Sequence, residues 1–274
     1  MIPMIGLNSR FNSHLKRHLN RVVLMSAVVV LGGCAATQGP ENPADPWEGM
    51  NRGTYAFNDE LDRGVIRPVA ELYAFVTPRP VRTCLRNAYL NIGEIWSAVN
   101  STLQQRHFDA INTVGRFMLN TTLGLGGCFD LASERGQPRI PNDFGVTLGV
   151  WGVPQGPYLV LPILGASSVR DGAGDVVNLV GNQLDTIGLI ENVPLRNSLW
   201  GLEFVVIRES LLTVSKTVDS TALDPYSFIR DAYLQRRRAQ VSGDSDAQAL
   251  PDYEDYEDVP ADDEALGIEP EKQQ

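Results

Sequence analysis

An uncharged run of 26 residues limits the architectures open to this chain: it spans residues 144–169 and reads FGVTLGVWGVPQGPYLVLPILGASSV. This length exceeds the roughly 20 apolar residues that a membrane-spanning helix needs. Pro154, Pro157 and Pro162, together with five glycines, would break any such helix. Since lipid tolerates irregular backbone only inside protein or beside a cavity, the run is either a buried core segment or the wall of an internal passage.

Apolar residues at helical spacing dominate the sequence on both sides of this uncharged run. Four helices are predicted. The first runs from Pro80 to Leu103, with proline in its first turn, and the second from Phe108 through Met118. The third follows an apolar stripe from Trp200 to Val218, and the last is capped by Asp224 and runs to about Arg238. Sustained alternation typical of strands is absent from the sequence. We therefore predict a mainly α fold with one helical domain, residues 47–241.

The two ends of the chain differ from this body in charge. Residues 1–33 carry four basic residues, no acidic residue and a short apolar run, which is typical of a secretory signal peptide. Residues 242–274 hold 12 of the 33 acidic residues of the chain and a single base. We predict that this acidic tail is disordered, and a solvated spacer is favoured over a cation-binding or partner-binding role. The acidic balance argues against a nucleic-acid binder.

The end of the signal peptide, Leu31-Gly32-Gly33-Cys34, resembles a bacterial lipobox. Cleavage before Cys34 would leave diacylglyceryl and N-acyl groups on this cysteine, followed by a proline-rich lipidated tether, residues 34–46. The alternative is an ordinary signal-peptidase site near Ala36. Because residue 35 is alanine, the resemblance to enterobacterial lipoproteins implies sorting to the outer membrane.

The two remaining cysteines, Cys84 and Cys128, would lie in an oxidising compartment after export. They form either a disulfide or two separately buried thiols, and the sequence does not decide between these states.

Motifs for covalent chemistry are missing from the predicted mature chain. Residues 34–274 contain no G-x-S-x-G, H-E-x-x-H, S-x-x-K, C-x-x-C or phosphate-binding P-loop. His107 would be the single histidine of the mature chain, and a capping or surface role is favoured over a general base. The sequence therefore predicts a protein that is not an enzyme and has no cofactor or catalytic metal.

Several segments together resemble one family, the VacJ/MlaA phospholipid-transport lipoproteins of Gram-negative outer membranes. The matching segments are Asp45 to Arg52, Phe57-Asn58, Arg67 to Ala70, Gly115 to Phe117, Gly124 to Asp130, Phe144-Gly145, Gly156 to Tyr158, Arg170-Asp171 and Asp224 to Tyr226. Their order and spacing behind a lipobox make the resemblance specific.

The resemblance implies a ring of amphipathic helices in the periplasmic leaflet of the outer membrane, around a central channel. Misplaced phospholipids would leave the outer leaflet through this channel and pass to a soluble periplasmic carrier, with trimeric porins as neighbours. Phe57 and Asn58 would control channel opening, although a core role for Phe57 is equally compatible with the sequence. A porin-scaffolding lipoprotein and a lipid-modifying hydrolase are the alternative functions.

The same resemblance implies that the uncharged run forms an irregular channel hairpin rich in glycine and proline, which contains Gly152, Gly156, Pro157 and Tyr158. The neighbouring charges, Arg170 and Asp171, would either meet lipid headgroups or form an internal ion pair, and the ion pair is favoured.

Overall fold

The computed structural model describes residues 42–182 and 187–243, and these residues are mainly helical. The helices are α1 (Glu48–Leu61), α2 (Arg67–Val76), α3 (Arg79–Leu103), α4 (His107–Thr122), α5 (Leu131–Glu134), α6 (Phe144–Val150), α7 (Val169–Asn182), α8 (Val193–Ser210), α9 (Leu212–Thr221) and α10 (Pro225–Ser242). Between α6 and α7, the strands β1 (Tyr158–Leu161) and β2 (Gly165–Ser168) pair in antiparallel register. The predicted mainly α fold class is confirmed.

A π-helical turn, Asp62–Ile66, joins α1 to α2 without a break in the helical path. The carboxylate of Asp62 accepts hydrogen bonds from Arg67, at 3.1 Å, and from Arg208 of α8, at 2.6 Å. These bonds fix the turn against α8, on which α2 also packs. The helix ends at Thr77, whose backbone is extended, because the following Pro78 disfavours helical dihedrals at the residue before it.

The longest helix, α3, packs along α4 to form an antiparallel helical pair. Its start at Arg79 places Pro80 in the first turn, where the missing backbone N–H costs no hydrogen bond. Cys84, near this start, is joined to Cys128, in the loop after α4, with their Sγ atoms 2.07 Å apart. The disulfide therefore joins the N-terminal part of α3 to the loop that follows the C-terminal end of α4.

The uncharged run is more regular than the sequence analysis predicted. Its first seven residues form α6, which begins where the Asp143 carboxylate accepts a hydrogen bond from Val146 N at 3.0 Å. Residues 158–168 form the hairpin of β1 and β2. A hairpin is present, but the prediction that it is irregular was wrong, because prolines and glycines exclude one long helix but allow short elements between them.

The C-terminal helices differ in their bounds from the predicted ones. The apolar stripe from Trp200 to Val218 is divided between α8 and α9, which meet at Leu211. The last helix, α10, starts at Pro225 as predicted and continues to Ser242, where Gly243 ends it in the left-handed region with φ of 77°.

Apolar residues lie outside and polar residues inside in much of the described structure. One small apolar cluster packs β1 against α10 through Tyr158, Val160, Tyr226 and Leu234. The buried positions of α3 are mainly polar: Asn91, Glu94, Ser97, Asn100 and Ser101. Among the described residues, no helix combines the length and the hydropathy that crossing a membrane would require.

Candidate functional site

Helix α4 presents its apolar stripe outward. Phe108 is 89% exposed and Ile111 is 70% exposed, and Val114 and Met118 continue the same face. A surface helix of a globular protein in water normally turns such an apolar stripe toward the protein core. The outward stripe therefore forms an apolar surface that needs a partner other than water.

The opposite face of α4 is polar and buried. Arg116 is 1% exposed and donates to Asp130 Oδ2 at 2.9 Å, Glu94 Oε1 at 3.3 Å and Ser133 Oγ at 3.2 Å. Burial raises the pKa of Glu94, although the positive charges of Arg139 and Arg116 oppose this shift. Because these groups are hydrogen-bonded to one another, α4 can turn its polar face inward without leaving the Arg116 charge unpaired.

A network of amides and hydroxyls continues this polar interior between α3 and α6. Gln104 Nε2 donates to Asn142 Oδ1 at 2.8 Å and to Thr147 Oγ1 at 2.9 Å. The Thr147 hydroxyl in turn donates to Asn100 Oδ1 at 2.8 Å. Such a connected network rigidifies the position of α6, at the start of the uncharged run.

Two asparagines of α1 hold the β-hairpin, and they stand seven residues apart, on one helix face. Asn51 is fully buried, accepts from Val160 N at 2.9 Å and donates to Tyr158 O at 3.1 Å. Asn58 accepts from Ile163 N at 2.8 Å and donates to Leu161 O at 3.0 Å. Each side-chain amide thus satisfies one N–H and one C=O of the chain, as a neighbouring strand would.

The residues predicted to control the channel occupy different environments. Phe57 is 54% exposed, so the structure does not place it in the core. Gly152 and Gly156 have φ of 94° and 68°, in the left-handed region that favours glycine. The Tyr158 ring is buried against Tyr226, and Pro157 O accepts a hydrogen bond from Val169 N at 3.1 Å.

Buried charges tie the segment after the hairpin to α10. Arg237 donates to Asp171 Oδ2 at 3.0 Å and to Asp143 Oδ1 at 2.9 Å. Arg170 Nε donates to Asp171 Oδ1 at 2.8 Å, and the Tyr233 hydroxyl donates to Asp171 Oδ2 at 2.6 Å. The internal ion pair of Arg170 and Asp171 that the sequence analysis favoured is therefore present.

The electrostatic environment keeps Asp171 ionised. Burial alone would raise its pKa, but the hydrogen bond and the charge of Arg237, the Tyr233 hydroxyl and the charge of Arg170 together lower it to about 2.

Helices α6 and α7 are also tightly packed near Asp171. Gly174 of α7 lies so close to Gly145 of α6 that a Cβ on Gly174 would stand 2.6 Å from Gly145 N. These contacts hold α6, α7 and α10 together.

Asp45 joins the end of the predicted tether to this body. Its carboxylate accepts from Asn51 Nδ2 at 2.7 Å and from the Tyr226 hydroxyl at 2.5 Å, and Arg230 lies 3.4 Å away. Cys34, the signal peptide, the rest of the tether up to residue 41 and residues 244–274 of the acidic tail lie outside the described residues.

Sequence reasoning did not identify Asn51, Glu94, Arg116 or Arg237 as functional candidates. Asn51 and Arg116 stand inside segments quoted for the family resemblance, but no role was assigned to them. A polar residue that recurs on one helix face was the available signal, as in Asn51 and Asn58. Its meaning depended on knowing that this face is buried.

These features define a class: a mainly helical protein whose apolar helix faces point outward and whose polar groups pair inside. The chain belongs to the MlaA lipoprotein family, whose family model matches residues 43–240.

Relatives and a solved structure support this membership over most of the chain. The "Intermembrane phospholipid transport system lipoprotein MlaA" of Shigella flexneri is 34% identical over 257 residues, which cover 89% of this chain and 99% of the relative. The protein of the same description from Haemophilus influenzae is 32% identical, covering 84% of this chain and 94% of the relative. A solved structure described as "Structural basis for maintenance of bacterial outer membrane lipid asymmetry" has a TM-score of 0.61 and 33% identity, covering 72% of this chain and 98% of the solved one.

Proposed function

We propose that this protein is the outer-membrane lipoprotein of an intermembrane phospholipid transport system, which removes misplaced phospholipids from the outer leaflet and so maintains lipid asymmetry. Membership of the MlaA lipoprotein family supports this function, since relatives that match nearly their whole length carry that description. The observation that carries it in this chain is the outward apolar stripe of α4, with polar residues buried behind it.

The stripe fits contact with acyl chains. Amphipathic helices can lie within one leaflet, with the apolar face toward the acyl chains, and do not need to span the bilayer. Exposed apolar residues of α2, among them Leu72 and Phe75, extend the same kind of surface. A ring of such helices around a polar passage would let a phospholipid headgroup cross while its chains stay in an apolar environment.

The membrane anchor of this proposal is Cys34. Diacylglyceryl and N-acyl groups on this cysteine would hold the protein on the periplasmic side of the outer membrane, because each buried CH₂ contributes about 0.8 kcal/mol. Mass spectrometry of the mature protein should find acyl groups on Cys34, and Cys34→Ala should abolish this modification. An unmodified Cys34 in a membrane-bound protein would contradict the anchor.

Phe57, Asn58 and the β-hairpin form the proposed control element of the channel. Asn58 holds the turn of the hairpin, while the exposed Phe57 is free to contact acyl chains on the neighbouring surface. Gly152, Gly156, Pro157 and Tyr158 would border the passage as the hairpin and its connections. Loss of the Asn58 contacts would free the hairpin turn and change the opening of the channel.

The partners in this proposal are trimeric porins, as neighbours in the membrane, and a soluble periplasmic carrier, which receives the lipid. Neither transfer step requires covalent chemistry, so the absence of catalytic motifs in the sequence is compatible with the function. The proposed transport function also needs no bound cofactor.

Site-specific photo-crosslinking in cells tests the proposal. Crosslinkers at Ile111 and at positions across residues 144–169 should capture phospholipid, whereas one at Gln235, an exposed polar position of α10, should not. Cells that lack the protein should accumulate phospholipid in the outer leaflet. Porin adducts without phospholipid would favour a scaffolding lipoprotein, and fatty acid released in proportion to the protein would favour a hydrolase.

A further inference from the structure

A cavity of about 310 Å³ lies between the loop after α6 and the last turns of α10. Three arginines line it, Arg170, Arg237 and Arg238, and its described lining includes no carboxylate. Gly149 and Gly152 form part of the opposite wall. The cavity therefore presents guanidinium groups and backbone to any molecule that enters it, while Asp171 and Asp143 behind the wall offset the charges of Arg170 and Arg237.

Two of the arginines are fixed from behind. Arg170 is 6% exposed, and its Nε donates to Asp171 Oδ1 at 2.8 Å. Its buried Nη2 lies 2.8 Å from the same oxygen, within the ion pair with Asp171. Arg237 is held by Asp143 and Asp171. These guanidinium groups are in place before a ligand binds, which reduces the entropy lost on binding.

Two further groups of the cavity have unused donors. The side-chain nitrogen of Gln155, Nε2, is buried and has no hydrogen-bond partner among residues 42–182 and 187–243. Arg238, which is exposed, donates through Nε to Leu234 O at 3.1 Å and forms no ion pair within the same part of the chain. The buried Gln155 donor costs free energy while it lacks a partner, and an acceptor of negative charge would remove this cost.

Glycine at position 149 is required by the arginine arrangement. A Cβ there would lie 2.7 Å from Arg170 Nη1 and 2.5 Å from Val241 Cγ2. The missing side chain lets the Arg170 guanidinium lie against the backbone of α6.

The size and the rim of the cavity restrict the ligand. At about 310 Å³ it stands at the lower end of ligand pockets, roughly 300–1,000 Å³, and suits a polar headgroup better than two acyl chains. Val153 and Pro154 at its rim are exposed, as is the adjacent Trp151, whose Nε1 donates to Leu103 O at 3.0 Å. Tryptophan held in this way, with an exposed apolar body, is common where a protein meets the membrane interface.

We propose that this cavity binds the phosphate group of a glycerophospholipid, with the acyl chains leaving over Trp151, Val153 and Pro154. Guanidinium groups form strong, charge-assisted hydrogen bonds with phosphate oxygens, and the Gln155 amide adds a neutral donor. The inference rests on the proposed transport function and adds a headgroup site to it.

Calorimetric titration of the detergent-solubilised mature protein with dihexanoyl phosphatidylglycerol tests the site. Arg238→Gln should weaken binding about tenfold, because one charge-assisted hydrogen bond is lost. Arg236→Gln removes the same charge from a second exposed position, two residues away and outside the cavity lining, and should change the affinity less than twofold. Gln155→Met removes a donor that pairs with no carboxylate, and it should weaken binding severalfold. This variant provides the test if Arg238→Gln fails to fold.

Three outcomes would overturn the assignment. Equal weakening by Arg236→Gln and Arg238→Gln would indicate a general charge effect. The same difference between the variants with dihexanoylglycerol, which lacks phosphate, would exclude recognition of the phosphate. If inorganic phosphate or glycerol 3-phosphate displaced the lipid at a concentration no higher than that of the lipid, the cavity would be a site for small soluble phosphates and not for a phospholipid.

Cellular lipid asymmetry separates this inference from the proposed function. If Arg238→Gln binds the lipid normally and cells clear their outer leaflet, the cavity assignment fails while the transport function stands. If deletion of the whole protein leaves the outer leaflet unchanged, the transport function itself fails.

Discussion

Asn58 fixes the backbone of Ile163 at the turn of the β-hairpin, with a distance of 2.8 Å between Asn58 Oδ1 and Ile163 N. Ile163 has φ of 69°, a left-handed conformation that is unfavourable for a β-branched residue. Such a conformation costs about 1–2 kcal/mol, and the bonds from the Asn58 amide help to offset this cost. The geometry of the turn therefore depends on a side chain about 100 residues earlier in the sequence.

Asn58→Ala should loosen this turn while the rest of the fold is retained. Two hydrogen bonds are lost, so the free energy of opening the turn should fall by about 1–3 kcal/mol. Amide hydrogen exchange at Ile163 should become at least tenfold faster, and global unfolding should change less. Asn197→Ala, at an exposed position of α8, provides the matched control. Equal exchange at Ile163 in both variants would show that Asn58 does not hold the turn.

Gly174→Ala should destabilise the protein by about 1–3 kcal/mol, since the new Cβ would meet the backbone of Gly145 at 2.6 Å and neither helix can yield without shifting. Gly201→Ala makes the same change in α8, where no atom lies within 4 Å of the added Cβ. It should stabilise by about 0.5–1 kcal/mol through helix propensity. Denaturant unfolding of both variants measures the difference. A Gly174→Ala variant as stable as Gly201→Ala would be incompatible with the close approach of α6 and α7.

The Cys84–Cys128 bond should contribute about 4 kcal/mol, because it closes a loop with a sequence separation of 44 residues in the unfolded chain. The double variant Cys84→Ala, Cys128→Ala should lose this amount in denaturant unfolding. Alkylation of the unfolded wild type should label these two cysteines after reduction and leave them unlabelled without it. Labelling without reductant would mean that they are separate thiols in the native protein.

Acid should weaken the attachment of α7 to α10. The pKa of Asp171 is about 2, below its ordinary value of 3.8, so its stabilising effect is complete above about pH 5 and is lost as the pH falls toward 2. The difference corresponds to about 2 kcal/mol at neutral pH. Unfolding free energies at a series of pH values check this, with Asp231→Asn at an exposed site as the control.

Asp171→Asn should be less stable than the wild type at pH 6, and its stability should fall less with acid. If this variant does not fold, the carboxyl chemical shift of Asp171 in the wild type should titrate near the same low pH. A normal titration there would contradict the buried ion pair.

The sequence was informative where the signal was local. Helices α3, α4 and α10 follow from apolar spacing and from proline or aspartate at their starts. The division of the stripe at Leu211 and the short elements inside the uncharged run were not predicted, because spacing alone does not show where packing interrupts a helix or pairs two strands. Phe57 could be assigned neither to the core nor to the surface, since an apolar residue on a helix is compatible with both.

The sequence by itself determined the mainly helical fold class, the segment that resembles a lipobox, the acidic composition of the C-terminal tail and the segments that resemble one family. Only the tertiary structure decided which face of each helix is buried. Periodicity divides α4 into an apolar and a polar face, but the polar face can be buried only because Asp130, Glu94 and Ser133 meet Arg116 there. Likewise, Arg237 pairs with Asp171 and Asp143, which precede it in the sequence by 66 and 94 positions. Such contacts depend on the folded path of the chain, and local spacing contains no record of that path.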